Sequence, residues 1–154
     1  MTQATINLAK GELARSAAGL VYGGLFVQID EIQFPNSQWT DFVVIVLAWW
    51  CRGLSQLLGG EREQIEVRFM EGPYLAEIGP RTGPLLHLAL IEAGLSRRIR
   101  READVATDEL VDSVLSAAMR VLAECKTRSW WSDDADDLAD AARGLQREKL
   151  RLIN

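Results

Sequence analysis

The stretch Asn36–Leu54, "NSQWTDFVVIVLAWWCRGL", decides how the rest of the chain is read. Phe42–Cys51 is a run of ten residues without a charged side chain, and it ends in two adjacent tryptophans. "VVIV" is β-branched and strand-like. The segment nevertheless stretches from Pro35-Asn36-Ser37, which offers a helix cap, to Gly59-Gly60, which offers a stop, and that length fits a helix better than a strand. We therefore expect a helix over Gln38–Leu58. On its wheel Asp41, Arg52, Ser55 and Gln56 gather on one side, and Trp39, Val43, Val46, Trp50 and Leu57 lie opposite. Neighbouring residues on a helix point about 100° apart. Trp50 therefore lies in the buried face, and Trp49 at its rim is either a covered residue or an exposed anchor.

Upstream, "TINLA" alternates weakly and "LVYGGLFVQIDEIQF" alternates strongly, with Leu25, Val27 and Ile29 on one face. The phase slips at Asp30-Glu31, where a bulge or bend is expected, and Gly23-Gly24 reads as a turn. Downstream, "EQIEVRFM", the turn "EGP" and "YLAEI" make a β-hairpin over Glu63–Ile78. "GPRTGP" reads as a loop. "LLHLALIE" is a further strand, and the basic "RRIRRE" suits a sheet edge, where charge discourages pairing with other chains. The last third is helical. Thr107 is the expected cap of a helix whose stripe runs Leu110, Val111, Val114, Leu115, Ala118, Leu122, Cys125. A second helix follows Ser132, with Leu138, Ala142 and Leu145 inward. The expected fold is α+β: one domain over 1–154, an antiparallel sheet carrying one long helix after the N-terminal strands and two C-terminal helices packed on it.

Composition narrows the function. The 154 residues are 48% hydrophobic and 25% charged, which is globular, and the net charge of −5 lacks the basic face that nucleic acid requires. No apolar run reaches the roughly 18 residues of a membrane span. The start "MTQATINLAK" has no basic or apolar region of a secretory leader, and Cys51 and Cys125 sit far apart in apolar contexts, so a reducing cytoplasm is expected. His87 is the one histidine. Without a second His or a nearby Cys it makes a poor zinc site, and no nucleophile elbow, P-loop or dinucleotide fingerprint accompanies it. We expect no catalytic, cofactor-binding or metal-binding residues. A small enzyme or interaction module with a site near His87 is the alternative.

"SWWSDDADDLAD" joins Trp130 and Trp131 to Asp133, Asp134, Asp136, Asp137 and Asp140. The aspartates can satisfy a helix N-terminus while the tryptophans plug a gap between helices. Together with Trp49 they can also form a surface for a basic protein partner, where charge speeds encounter and aromatics hold it.

Two motifs carry a resemblance. Trp39-Thr40-Asp41-Phe42 and Phe69-Met70-Glu71-Gly72-Pro73-Tyr74, with a looser likeness at "CKTRSWW", resemble the immunity proteins of bacterial polymorphic or contact-delivered toxin systems over residues 20–80. The resemblance implies a cytoplasmic protein that binds and neutralises a cognate toxin by stoichiometric association. It brings no catalytic residues, and it leaves the toxin and the oligomeric state open.

Overall fold

The structure is a computed structural model and describes residues 2–153. In chain order the elements are β1 (Ala4–Leu8), β2 (Ala14–Arg15), β3 (Val21–Ile29), β4 (Ile32–Phe34), β5 (Thr40–Asp41), α1 (Val43–Leu58), β6 (Ile65–Arg68), β7 (Tyr74–Thr82), β8 (Leu85–Ala93), β9 (Arg97–Ala106), α2 (Thr107–Thr127) and α3 (Asp133–Ile153). The class is α+β, and the strands divide into two antiparallel sheets. In the first, β3 is the hub that pairs with β1, β2, β4 and β5; the second runs β6-β7-β8-β9. The basic strand β9 is an edge, as its charge predicts.

α1 lies at the centre of the fold. Residues on nearly every side of it are buried, Val43, Leu47, Cys51 and Leu54 among them, because it packs on both sheets and on α2 and α3. This explains a helix that is apolar almost all round. At Gly53 a side chain would run into Val67 of β6, so glycine sets the close approach of helix to sheet. The main core runs from Ala4 to Leu145, and Leu75, Ala89 and Ile91 form a second, smaller cluster.

The helix begins at Val43, five residues later than expected. Asn36 does not cap it; its Oδ1 accepts from the backbone N–H of Gln38 in a local turn. Thr40 and Asp41 are instead a short strand paired with Gly24 and Gly23. Those two glycines are thus mid-strand rather than a turn. A Cβ at Gly24 would stand 2.4 Å from Ala9 Cβ, and one at Gly23 would stand 2.5 Å from Leu13. The phase slip at Asp30-Glu31 is a two-residue hairpin turn between β3 and β4, with Asp30 at φ 50°. "GPRTGP" is only partly loop, since β7 runs on to Thr82 past an irregularity between Ile78 and Arg81. Ala106, not Thr107, holds the cap position of α2; Thr107 is buried in the first turn and its hydroxyl has no partner among the described residues.

Asp41 is not on the polar side of a helix. It is 1% exposed. Its Oδ1 accepts from the backbone N–H of Phe42 at 2.8 Å. Its Oδ2 accepts from Trp39 Nε1 at 2.9 Å and from the backbone N–H groups of Met70 and Glu71 at 3.0 and 3.4 Å. Four donors on one carboxylate offset the cost of burying it. Around it Trp39 meets Tyr74 and Phe69 edge-on, Phe34 meets both of the same rings, and Trp50 meets Phe69.

Two outcomes follow for stability. Asp41→Ala strands the Met70 and Glu71 amides and the Trp39 indole, and should cost about 2–4 kcal/mol; a chemical-denaturation midpoint within error of the parent would show that the carboxylate holds nothing. Trp50 is 0% exposed and Trp49 is 37% exposed. Trp50→Ala should therefore cost about 3–5 kcal/mol and Trp49→Ala clearly less. Equal losses in the same assay would contradict this placement of the two rings.

Candidate functional site

The residues singled out as a partner surface do not share one environment. Trp130 is half-buried between two cations: the Arg128 guanidinium lies 4.9 Å from its ring centre and that of Arg15 lies 6.0 Å away. Its backbone N–H donates to the Cys125 carbonyl at 2.7 Å and closes the end of α2. It is built into the turn between the helices. Trp131 is 45% exposed and donates from Nε1 to Asp136 at 2.8 Å.

The aspartates spread round the first turns of α3. Ser132 caps the helix, its hydroxyl accepting from the Ala135 N–H. Asp133, Asp134 and Asp136 occupy the first turn, where the helix dipole favours negative charge. Asp137 meets Arg52 of α1 at 2.6 Å, and Asp140 pairs with Arg143. Three of the five are thus held by a neighbour within the chain. Their surplus over the needs of a helix start is partly spent on orienting Trp131 and joining α3 to α1.

α1 and α3 run in the same direction. Arg52 meets Asp137, Ser55 lies against Gly144 and Gly59 against Glu148. Trp49, one turn before Arg52, therefore lies toward the acidic start of α3. It flanks a shallow recess of about 200 Å³ beside the edge strand β6, shared with Arg52 and Glu66. The acidic start of α3 accordingly has a part-exposed indole on either flank, Trp49 on the α1 side and Trp131 on the α2 side. Sequence spacing alone did not pair Trp49 with the aspartates; the Arg52–Asp137 contact between α1 and α3 does.

One large concavity was not visible in the sequence. It is an apolar groove of about 630 Å³ between α2 and α3, with Leu115, Met119 and Leu122 on one wall, Ala139 and Ala142 on the other, and Trp131 at one end. Met119, 60% exposed, stands in it. The only advance signal was Met119 on the α2 stripe side, indistinguishable from an ordinary surface methionine.

His87 lies on the outer face of the second sheet, between buried Leu86 and Leu88. Its Nδ1 is 2.9 Å from Asp104 and its Nε2 is 3.1 Å from Glu102, both on β9. When protonated the ring donates to a carboxylate at each nitrogen, so both nitrogens face Asp104 and Glu102 rather than an open site. Among the described residues no group of three or more His, Cys, Asp or Glu is arranged around a metal site. Burial pushes the Cys51 thiol up to about 12, so it stays protonated and unreactive, and Cys125 is raised for the same reason. No helix of the described chain is long and apolar enough to cross a membrane.

The hydrogen bond to Asp104, and next that to Glu102, raise the His87 pKa above its ordinary 6.5. A raised folded-state value means that this cluster contributes fully below the unfolded value. The contribution is then lost as pH rises through the folded one. The groups are half-exposed, so the effect is small. A His87→Gln variant should lose on the order of 1–3 °C in Tm at about pH 6 and nothing at about pH 9. An NMR titration of the ring with a midpoint at or below the ordinary value would overturn the assignment.

No protein-family model, curated protein or solved structure matches this chain.

Proposed function

We propose that the protein is an immunity-type binder: a cytoplasmic protein that neutralises a cognate, basic bacterial toxin by stoichiometric association. The observation that carries this is the end of the molecule where Trp49 and Trp131 flank the aspartates that open α3. Part-exposed tryptophans are the residue type most enriched in binding hot spots. Carboxylates around them attract a basic partner and discriminate against acidic ones. Asp133 and Asp134 have no ion pair among the described residues and sit beside the positive end of α3. The resemblance to immunity proteins supports the same reading, and it rests on residues with an architectural task. Trp39, Asp41, Phe69, Gly72 and Tyr74 hold α1 to the β6–β7 turn, so they argue for a shared scaffold rather than a shared partner.

The test is co-expression with the product of the neighbouring gene, followed by titration of the purified pair. Trp49→Ala and Asp133→Lys/Asp134→Lys, each checked for fold by circular dichroism, should weaken the complex by about tenfold or more. The charge variant should also lower the on-rate and flatten its salt dependence. Absence of any complex with the neighbouring gene product would remove the proposal, and unchanged affinity in both variants would remove the site.

A further inference from the structure

The apolar groove between α2 and α3 continues past the patch assigned to the toxin, and the charges around it follow a rule of their own. The two helices are antiparallel: Lys149 meets Asp112 at 2.6 Å near one end, and Trp130 closes onto Cys125 at the other. At the Trp131 end the α2 side is basic, with Lys126, and the α3 side is acidic, with Asp136 and Asp140. At the far end the signs exchange. There the α2 side carries Asp108 and Asp112, and the α3 side carries Arg143 and Arg147. All seven are exposed. The four corners of the face thus alternate in sign.

A face with that pattern is complementary to itself. Turning a second copy by 180° about an axis along the groove sets α2 corners against α3 corners. Turning it about an axis across the groove sets each helix's acidic half against its basic half. Both operations bring opposite charges together, which is what an isologous two-fold interface requires. A foreign helix of one net charge would meet two attractive corners and two repulsive ones. The in-chain pairs Asp140–Arg143 and Asp112–Lys149 are exposed, so exchanging them for contacts between copies costs little.

The apolar content and size agree. Met119 and Trp131 stand exposed at the groove, and exposed Leu150 continues the line of Ala139, Arg143 and Gln146 at helical spacing. Each helix has 21 residues. Two such helices side by side offer a face of about 600 Å² per copy, just below the ~800 Å² of a standard stable interface. We infer that the α2–α3 face is a self-association surface, and that its occupant is the same face of a second copy of this chain in a reversible two-fold dimer. Trp49 and Asp137 lie on the α1 flank of α3, outside this face. Trp131 and Asp136 belong both to this face and to the patch assigned to the toxin, so the two associations would compete there, and self-association does not itself require the toxin-binding reading.

Sedimentation equilibrium over a concentration series tests it. The parent should move from monomer to dimer as concentration rises, more weakly at high salt. Met119→Glu, at an exposed position that spares the fold, should remain monomeric throughout. Asp136→Arg/Asp140→Arg should weaken the dimer about tenfold, a loss of roughly 1.4 kcal/mol. Adding Lys126→Glu should restore it in part if the axis runs along the groove, and adding Arg143→Glu/Arg147→Glu if it runs across. A parent monomeric at every concentration would overturn the proposal. So would a dimer indifferent to Met119→Glu, or charge reversals that neither weaken nor rescue. A monomeric parent whose Met119→Glu variant loses the toxin would instead give the groove to that partner.

Discussion

The carboxylate of Asp41 ties together three parts of the molecule that lie far apart in sequence. It lies between the end of a strand and the start of α1. It reaches across 29 residues to the amides of Met70 and Glu71 in the β6–β7 turn and binds the Trp39 indole on the way. The first sheet, the central helix and the second sheet all meet at this atom group. The aromatic rings of Phe34, Trp39, Phe69 and Tyr74 close round it and keep water out. In that low-polarity setting each hydrogen bond is stronger, and each missing one would be costlier. Gly72 belongs to the same arrangement, because a Cβ there would strike the Trp39 ring at 2.6 Å.

This junction explains what was and was not legible in the sequence. Elements with a clean period were read correctly: Leu25, Val27 and Ile29; Ile65, Val67 and Phe69; and the stripes of α2 and α3. Trp50 fell in the core and Trp49 at its edge because their relation depends only on helical phase. The readings that failed depend on contacts distant in sequence. Asp41 looked like a solvated helix residue because nothing local announces that its partners are amides some thirty positions away. Gly23-Gly24 looked like a turn because the strands crowding it come from Ala9 and Thr40. The helix start moved for the same reason, as pairing with β3 took Thr40 and Asp41 from the helix.

The candidate site was legible in composition and not in geometry. Clustered aspartates and paired tryptophans are plain in the sequence. Their division is not: Trp130 is fixed between Arg15 and Arg128, Trp131 is oriented by Asp136, and Trp49 is brought alongside through Arg52 and Asp137. Nor does periodicity disclose a groove, since the apolar residues lining α2 and α3 differ from core residues only in what fails to cover them.

The arginines of β9 bear on colloidal behaviour. Arg97, Arg100 and Arg101 are each tied to a carboxylate, on Glu77, Glu92 and Asp30. Arg97 and Arg100 reach inward over the second sheet to β7 and β8, and Arg101 crosses to the β3–β4 turn of the first sheet. Thr2 meanwhile covers the far end of β9, beside Val105. A strand from another molecule approaching the β9 edge would meet a run of like-charged arginines, Arg97, Arg98, Arg100 and Arg101. Amyloid-like stacking through that edge is thereby disfavoured. Crowded copies of this chain are left to meet through their helices, where contact is reversible.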